Sequence, residues 1–125
     1  MDVFDLSATA VTAMVRTDLA HATEEPPSPI GYFDFHGCTC GVASFVGRPP
    51  WEHHADDELL HILDGECELT IRHPSGAHTR VLRTGDVAIV PRNCWHSNNA
   101  PLGVTMLFMT PTEGSQHSWN DPGDS

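Results

Sequence analysis

Two short clusters of imidazole and carboxylate carry whatever chemistry this chain performs. Gly47 is followed after five residues by His53 and His54, after three more by Glu58, and after six more by Gly65. Further along, Gly85 precedes Pro91, Asn93 and His96. Imidazole and carboxylate are the side chains that borderline divalent metals select. Each cluster is framed by glycines suited to strand ends, so the two read as one metal site assembled from distant parts of a β-barrel.

The elements that must position these residues are short strands. Apolar alternation marks Tyr32–Phe35, Thr39–Val46, Glu58–Leu63, Glu66–Arg72, Thr79–Thr84, Val87–Val90 and Val104–Met109. Between them lie Asp64-Gly65, Pro74-Ser75-Gly76 and Gly85-Asp86, residues that supply turn geometry. Leu63-Asp64-Gly65-Glu66 carries the Asp-Gly pair of a tight hairpin. Seven short strands without a convincing long helix argue an all-β sandwich or barrel.

We divide the chain into an N-terminal arm over 1–29, a barrel over 30–112 and a polar tail over 113–125. The apolar stretch from Val3 to Val15 is compatible with a short helix or an edge strand. Glu24-Glu25-Pro26-Pro27-Ser28-Pro29 reads as an extended linker, because successive prolines lock φ and remove donors.

Composition removes several classes of function. At 125 residues the chain is one domain with room for a real core. Seventeen acids against six bases give a formal charge of −11, which disfavours nucleic acid and anionic membrane as partners. All six bases are arginine, so no lysine is present for Schiff-base chemistry. No targeting signal and no apolar run of membrane-spanning length are seen, and a cytoplasmic setting is expected. Cys38, Cys40, Cys67 and Cys94 are then expected as thiols. Cys38 and Cys40 share a strand face but lack a second pair for a four-ligand site, and Cys67 alternates with Leu69 and Ile71 as core.

Residues 40–110 resemble the cupin superfamily, small β-barrels of the jelly-roll type. The family's first motif has the form G-x5-H-x-H-x3-4-E-x6-G, matched here by the stretch Gly47 to Gly65. Its second, G-x5-P-x-G-x2-H-x3-N, is matched by Gly85, Pro91 and His96, with Asn93 in place of the middle glycine and Ala100 in place of the final asparagine. Trp51-Glu52-His53-His54, Asp57-Glu58-Leu59, Pro91-Arg92, Trp95-His96, Thr110-Pro111 and His117 are similar to a group of small single-domain bacterial cupins. The resemblance implies an all-β jelly roll with its metal site inside the barrel.

The first motif departs from the family's pattern. Counting back from Gly65 and Glu58 puts the second histidine on His54, and the position two before it holds Glu52 rather than histidine. Residues two apart on a strand share a face, so Glu52 and His54 point inward together while His53 faces out. A β-bulge would exchange His53 for one of them. The ligand set implied is Glu52, His54, Glu58 and His96, suited to Fe(II), Mn(II), Ni(II) or Zn(II). Two histidines and a carboxylate also compose the facial triad of non-haem iron oxygenases, whereas Zn(II) in the same frame polarises a carbonyl or activates water.

The remaining chemistry-bearing residues have plainer readings. His61 alternates out of the pocket, and Asp56 and Asp57 are loop carboxylates. His117 is either a proton relay at the barrel mouth or, the safer reading, a polar residue of the tail. Trp51 and Trp95 either wall a small apolar pocket or fill barrel ends. Arg92 is placed to meet an anionic substrate or, more commonly, a surface acid. Met106, Phe108 and Met109 read as core or as lining for an apolar ligand. His21, His36, His73 and His78 carry no spacing signal.

The expectation is therefore a divalent-metal cupin acting on a small organic molecule, with dioxygenase-like oxidation first among reactions. Glu52 serves as fourth ligand or general base. The alternatives are a non-catalytic ligand-binding or sensing module and a metal-dependent isomerase or lyase. Apolar residues on both faces of Glu58–Leu63 favour a homodimer.

Overall fold

The computed structural model describes residues 1–4, 15–16 and 30–123. Most of the apolar stretch between Val3 and Val15, and the whole proline linker, lie outside the described residues. Among those described, every regular element is a strand: β1 (Val15–Arg16), β2 (Ile30–Phe35), β3 (Cys38–Gly47), β4 (Trp51–His53), β5 (Glu58–His73), β6 (Gly76–Arg83), β7 (Val87–Val90), β8 (His96–Pro111) and β9 (Gln116–Ser118). No helix among them is long and apolar enough to cross a membrane. The all-β jelly-roll expectation is met.

The strands form a curled sheet with β8 at its centre, paired to β3, β4 and β5. All pairings are antiparallel except β1 with β3, which is parallel. Period-two alternation puts one face of each long strand inside. Glu58, Leu60 and Ile62 of β5 are buried, as are Val104 and Met106 of β8 and Phe45 of β3. These apolar residues join Cys67, Leu69, Leu82, Val90 and Ala100 in the core. All four cysteines are free thiols. Burial pushes the Cys67 thiol up to about 11, as befits a core side chain.

The expected hairpin at Asp64-Gly65 is not a turn. β5 runs through it as one strand, pairing with β8 on both sides: Leu59 opposite Met109 before it, Ile71 opposite His96 beyond it. The register shifts between Ile62 and Asp64 and again between Gly65 and Glu68, which marks a bulge. Gly65 has φ +84°, and a Cβ there would lie 2.4 Å from the Gly103 carbonyl oxygen. The Asp-Gly pair thus serves a close crossing of two long strands. Positive φ is needed by a bulge as much as by a hairpin turn.

The tail is also more ordered than its composition implies. β9 pairs with β4, bringing Glu52 opposite His117. Gly114, at φ +77°, permits this approach, since its Cβ would stand 2.8 Å from that of Ala55. Farther on, Arg72 and Asp121 form an ion pair that holds the end of the segment against β5.

Candidate metal centre

Four ionisable side chains from three strand segments meet inside the barrel. Glu52 lies on β4 with His54 directly after it, Glu58 opens β5 and His96 opens β8. Glu52 and His96 are partners in register, which sets their side chains on one face. One ligand atom from each of Glu52, His54, Glu58 and His96 falls within 4.8 Å of all the others. His54, Glu58 and His96 are almost fully buried, and Glu52 is about one-third exposed at 30%.

The contacts converge on the two Nε2 atoms. His54 Nε2 stands 3.3 Å from Glu52 Oε2 and 3.3 Å from Glu58 Oε2. His96 Nε2 stands 3.1 Å from Glu58 Oε1 and 3.6 Å from Glu52 Oε2. The outer nitrogens are held by other groups. His96 Nδ1 faces the Cys94 carbonyl at 3.3 Å, and a carbonyl only accepts, so Nδ1 carries the proton. Ser115 Oγ gives its one hydrogen to the Pro111 carbonyl at 3.2 Å, so it accepts from His54 Nδ1 at 2.8 Å. In their neutral forms both rings therefore direct an Nε2 lone pair at the same point, the arrangement that outer partners impose on metal-binding histidines. Thr110 Oγ1 donates to Glu58 Oε2 and orients that carboxylate.

Electrostatics make the four groups interdependent. Burial alone lowers a histidine's pKa, yet hydrogen bonds and charge from Glu52 and Glu58 raise His54 to about 9 and His96 to about 10. Burial pushes Glu52 up, but hydrogen bonds from His117, His54 and His96 outweigh it and hold its carboxyl well below the usual range. Glu58 is lowered in the same way, burial being outweighed by His54 and His96. Two imidazolium protons thus balance two carboxylates. A single divalent cation supplies the same two charges, and the donor set fits one: nitrogen and oxygen ligands, buried, with outer partners in place.

The structure brings together the four residues that strand alternation and the family motif select, and it sets the others apart. His53 turns away, its ring against Trp95 at a centroid distance of 5.3 Å. Asp56 and Asp57 are loop acids, and they take Arg92 as an ion-pair partner at 3.0 and 3.5 Å. Trp51 is buried beneath the guanidinium groups of Arg48 and Arg72 and does not line the cavity. Met106 and Phe108 do line it, whereas Met109 falls on the opposite face of β8.

His117 is more than a polar residue of the tail. Its Nε2 lies 3.4 Å from Glu52 Oε1, and with Ser115 it borders the cavity. Ser115 has no motif to announce it. Ser115 immediately precedes β9 and His117 lies in it, and both border the cavity only because β9 pairs with β4.

The cluster borders a cavity of about 330 Å³ whose apolar lining includes Phe45, Leu60, Met106 and Phe108. No curated protein matches the chain. Solved structures do. Hydroquinone 1,2-dioxygenase from Sphingomonas sp. TTNP3, with 4-hydroxybenzoate bound, aligns at 21% identity and TM-score 0.56, over 67% of this chain and 66% of that one. A cupin-2 domain protein from Shewanella frigidimarina aligns at 18% identity and TM-score 0.58, over 76% of this chain and 90% of that one. Oxalate oxidase aligns at 21% identity and TM-score 0.55, over 63% of this chain but only 45% of its own length. At these identities the likeness is one of fold. Residues 46–109, from the end of β3 almost to the end of β8, match the family model of the cupin domain. That span contains all four clustered side chains, and the chain belongs to the cupin family.

Proposed function

We propose that this cupin binds one divalent metal ion through Glu52, His54, Glu58 and His96 and acts on a small organic molecule in the adjoining cavity, with dioxygenase-like oxidation as the reaction. The observation that carries the proposal is the convergence of two Nε2 lone pairs and two carboxylates within 4.8 Å. Two histidines with carboxylate are the donors of non-haem iron oxygenases, and Fe(II) or Mn(II) is the preferred ion. When bound, such an ion supplies open coordination positions and one-electron chemistry.

The chain's own residues supply the rest. Phe45, Leu60, Met106 and Phe108 give an apolar wall that excludes water and holds the substrate's carbon frame. Thr110 and Ser115 fix the orientation of Glu58 and His54. Glu52 is the most exposed of the four and also meets His117, so it serves either as fourth ligand or as general base at the cavity side. The likeness in fold to a dioxygenase and to oxalate oxidase is compatible with oxidation.

A second reading is a non-catalytic module that holds a ligand on the same metal. It is favoured by Glu52 standing where the family's pattern has histidine. Metal-dependent isomerase or lyase chemistry is a third. A homodimer formed through the β7 edge, where Val87 and Ile89 are 58% and 56% exposed, belongs to the same proposal, as does a cytoplasmic setting for four free thiols.

The test is thermal denaturation with Fe(II), Mn(II), Ni(II) or Zn(II), followed by dioxygen uptake with candidate substrates under Fe(II). A rise in Tm with metal and uptake dependent on His96 are expected. A Tm unmoved by all four ions refutes the metal centre. A raised Tm without uptake or turnover leaves the binding module.

A further inference from the structure

A molecule in the cavity must be held by something besides the four-residue cluster if it is to take one orientation. Most polar groups of the lining are already committed. Thr110 Oγ1 donates to Glu58, and Ser115 Oγ donates to the Pro111 carbonyl. The exposed Thr39 and Thr112 hydroxyls bond one another at 3.0 Å, and His117 turns its Nε2 to Glu52. Asn98 is different.

Asn98 stands on β8 opposite Leu69, two residues after His96, so the two side chains share a face of the strand. It lines the cavity and is only 9% exposed. Its Oδ1 accepts from the Cys67 thiol at 3.9 Å, and burial keeps that thiol protonated. The amide carries its oxygen and its nitrogen on opposite branches, so Nδ2 is directed away from Cys67. Among the described residues Nδ2 meets no acceptor, and it is not sealed inside the protein. Its hydrogens therefore face the cavity that Asn98 lines.

A buried donor without an acceptor is costly, and leucine, close to asparagine in shape, would fill the same place without that cost. An acceptor brought in by the ligand accounts for the amide. Strand rise sets Asn98 roughly 6–7 Å from His96 between Cα atoms, an interval that a molecule built on one ring can span. The rest of such a molecule meets Phe45, Leu60, Met106 and Phe108.

We propose that Asn98 determines specificity in this cavity: its amide donates a hydrogen bond to a carbonyl, ether or carboxylate oxygen at the end of the ligand remote from the cluster. The assignment rests on the reading that a small molecule occupies the cavity. It does not require the metal.

The test is isothermal titration of the full chain, loaded with redox-inert Zn(II), with para-hydroxyacetophenone and para-isopropylphenol. The two probes are close in shape, and only the first carries a carbonyl oxygen. The ratio of ketone affinity to hydrocarbon affinity is expected to fall about five- to tenfold from the parent to Asn98→Leu. The ratio is the readout because the substitution also reshapes the lining, which changes both affinities together. Asn98→Ala is read in the same way, so a leucine variant that fails to fold does not remove the test. A ratio that stays within about twofold of the parent's, or failure of the parent to bind either probe, overturns the proposal. Zinc content of the same samples separates it from the metal centre. A ratio that falls in protein holding no zinc upholds Asn98 and removes the metal centre. An unchanged ratio in protein holding zinc removes Asn98 and leaves the metal centre.

Discussion

The barrel has two interiors. Beyond the Gly65 bulge, β5 and β8 enclose Cys67, Leu69, Leu82 and Ala100, a dry apolar packing with no charge to satisfy. Elsewhere inside, the first residues of the same two strands, Glu58 before the bulge and His96 opposite Ile71 beyond it, meet and are buried to 3% and 1% exposure. Burying an isolated charge costs several kcal/mol, so the polar end is tolerated only because four groups neutralise one another. The dry end contributes stability that any comparable apolar set would supply. The polar end contributes little net stability and holds a specific charge pattern, which is what a site for a cation requires.

That contrast can be broken from either side. The largest effect is expected from Glu58→Ala, which leaves His54 and His96 without their shared buried carboxylate. It should destabilise the fold by about 3–5 kcal/mol and abolish metal uptake, read by urea denaturation and elemental analysis. Leu69→Ala at the dry end should cost about 2–4 kcal/mol with metal stoichiometry unchanged. A Leu69→Ala protein that folds yet loses metal would contradict the separation of the two ends.

Smaller changes sharpen the comparison. Ser115→Ala removes the acceptor that fixes the His54 ring, and should weaken metal affinity about 10–100-fold with little change in stability. Titration with a competing chelator reads this directly.

The polar end alone should also respond to pH. His54 and His96 have folded-state pKa values raised to about 9 and about 10 from 6.5. Their contribution in the metal-free protein is therefore complete below about 6.5 and lost as pH rises through 9 to 10. Glu52 and Glu58 are lowered, so their contribution is present above the ordinary carboxylate range and fades as pH falls toward their depressed values. Metal-free protein should accordingly lose Tm above pH 9, and saturating metal should remove that loss. Alkaline loss identical with and without metal would contradict the assignment.

Much of this was legible from residue types because strand periodicity is strict. The resemblance to the family's two motifs grouped His54, Glu58 and His96, and the rule that residues two apart share a face added Glu52 and set His53 aside. The Asp64-Gly65 pair misled because a hairpin turn and a bulge make the same local demand for positive φ. Only the pairing partner distinguishes them, and β8 is distant in sequence. A trace of the bulge was nevertheless present. The inward series on β5 passes from Leu60 and Ile62 to Cys67 and Leu69, changing from even to odd numbers. One strand with an inserted residue produces that change of parity. Ser115 and His117 were hidden for another reason: their role depends on β9 reaching β4, and a three-residue strand in a polar tail has too little pattern to show it.

The central claim is that the four side chains hold one metal ion. The direct measurement is metal content of the protein isolated without chelator and reconstituted under Fe(II) or Mn(II), beside the His54→Ala/His96→Ala double variant. The account predicts close to one ion per parent chain, with about two protons released on binding, and none in the variant. A parent that stays metal-free, or a variant that binds as much as the parent, contradicts it.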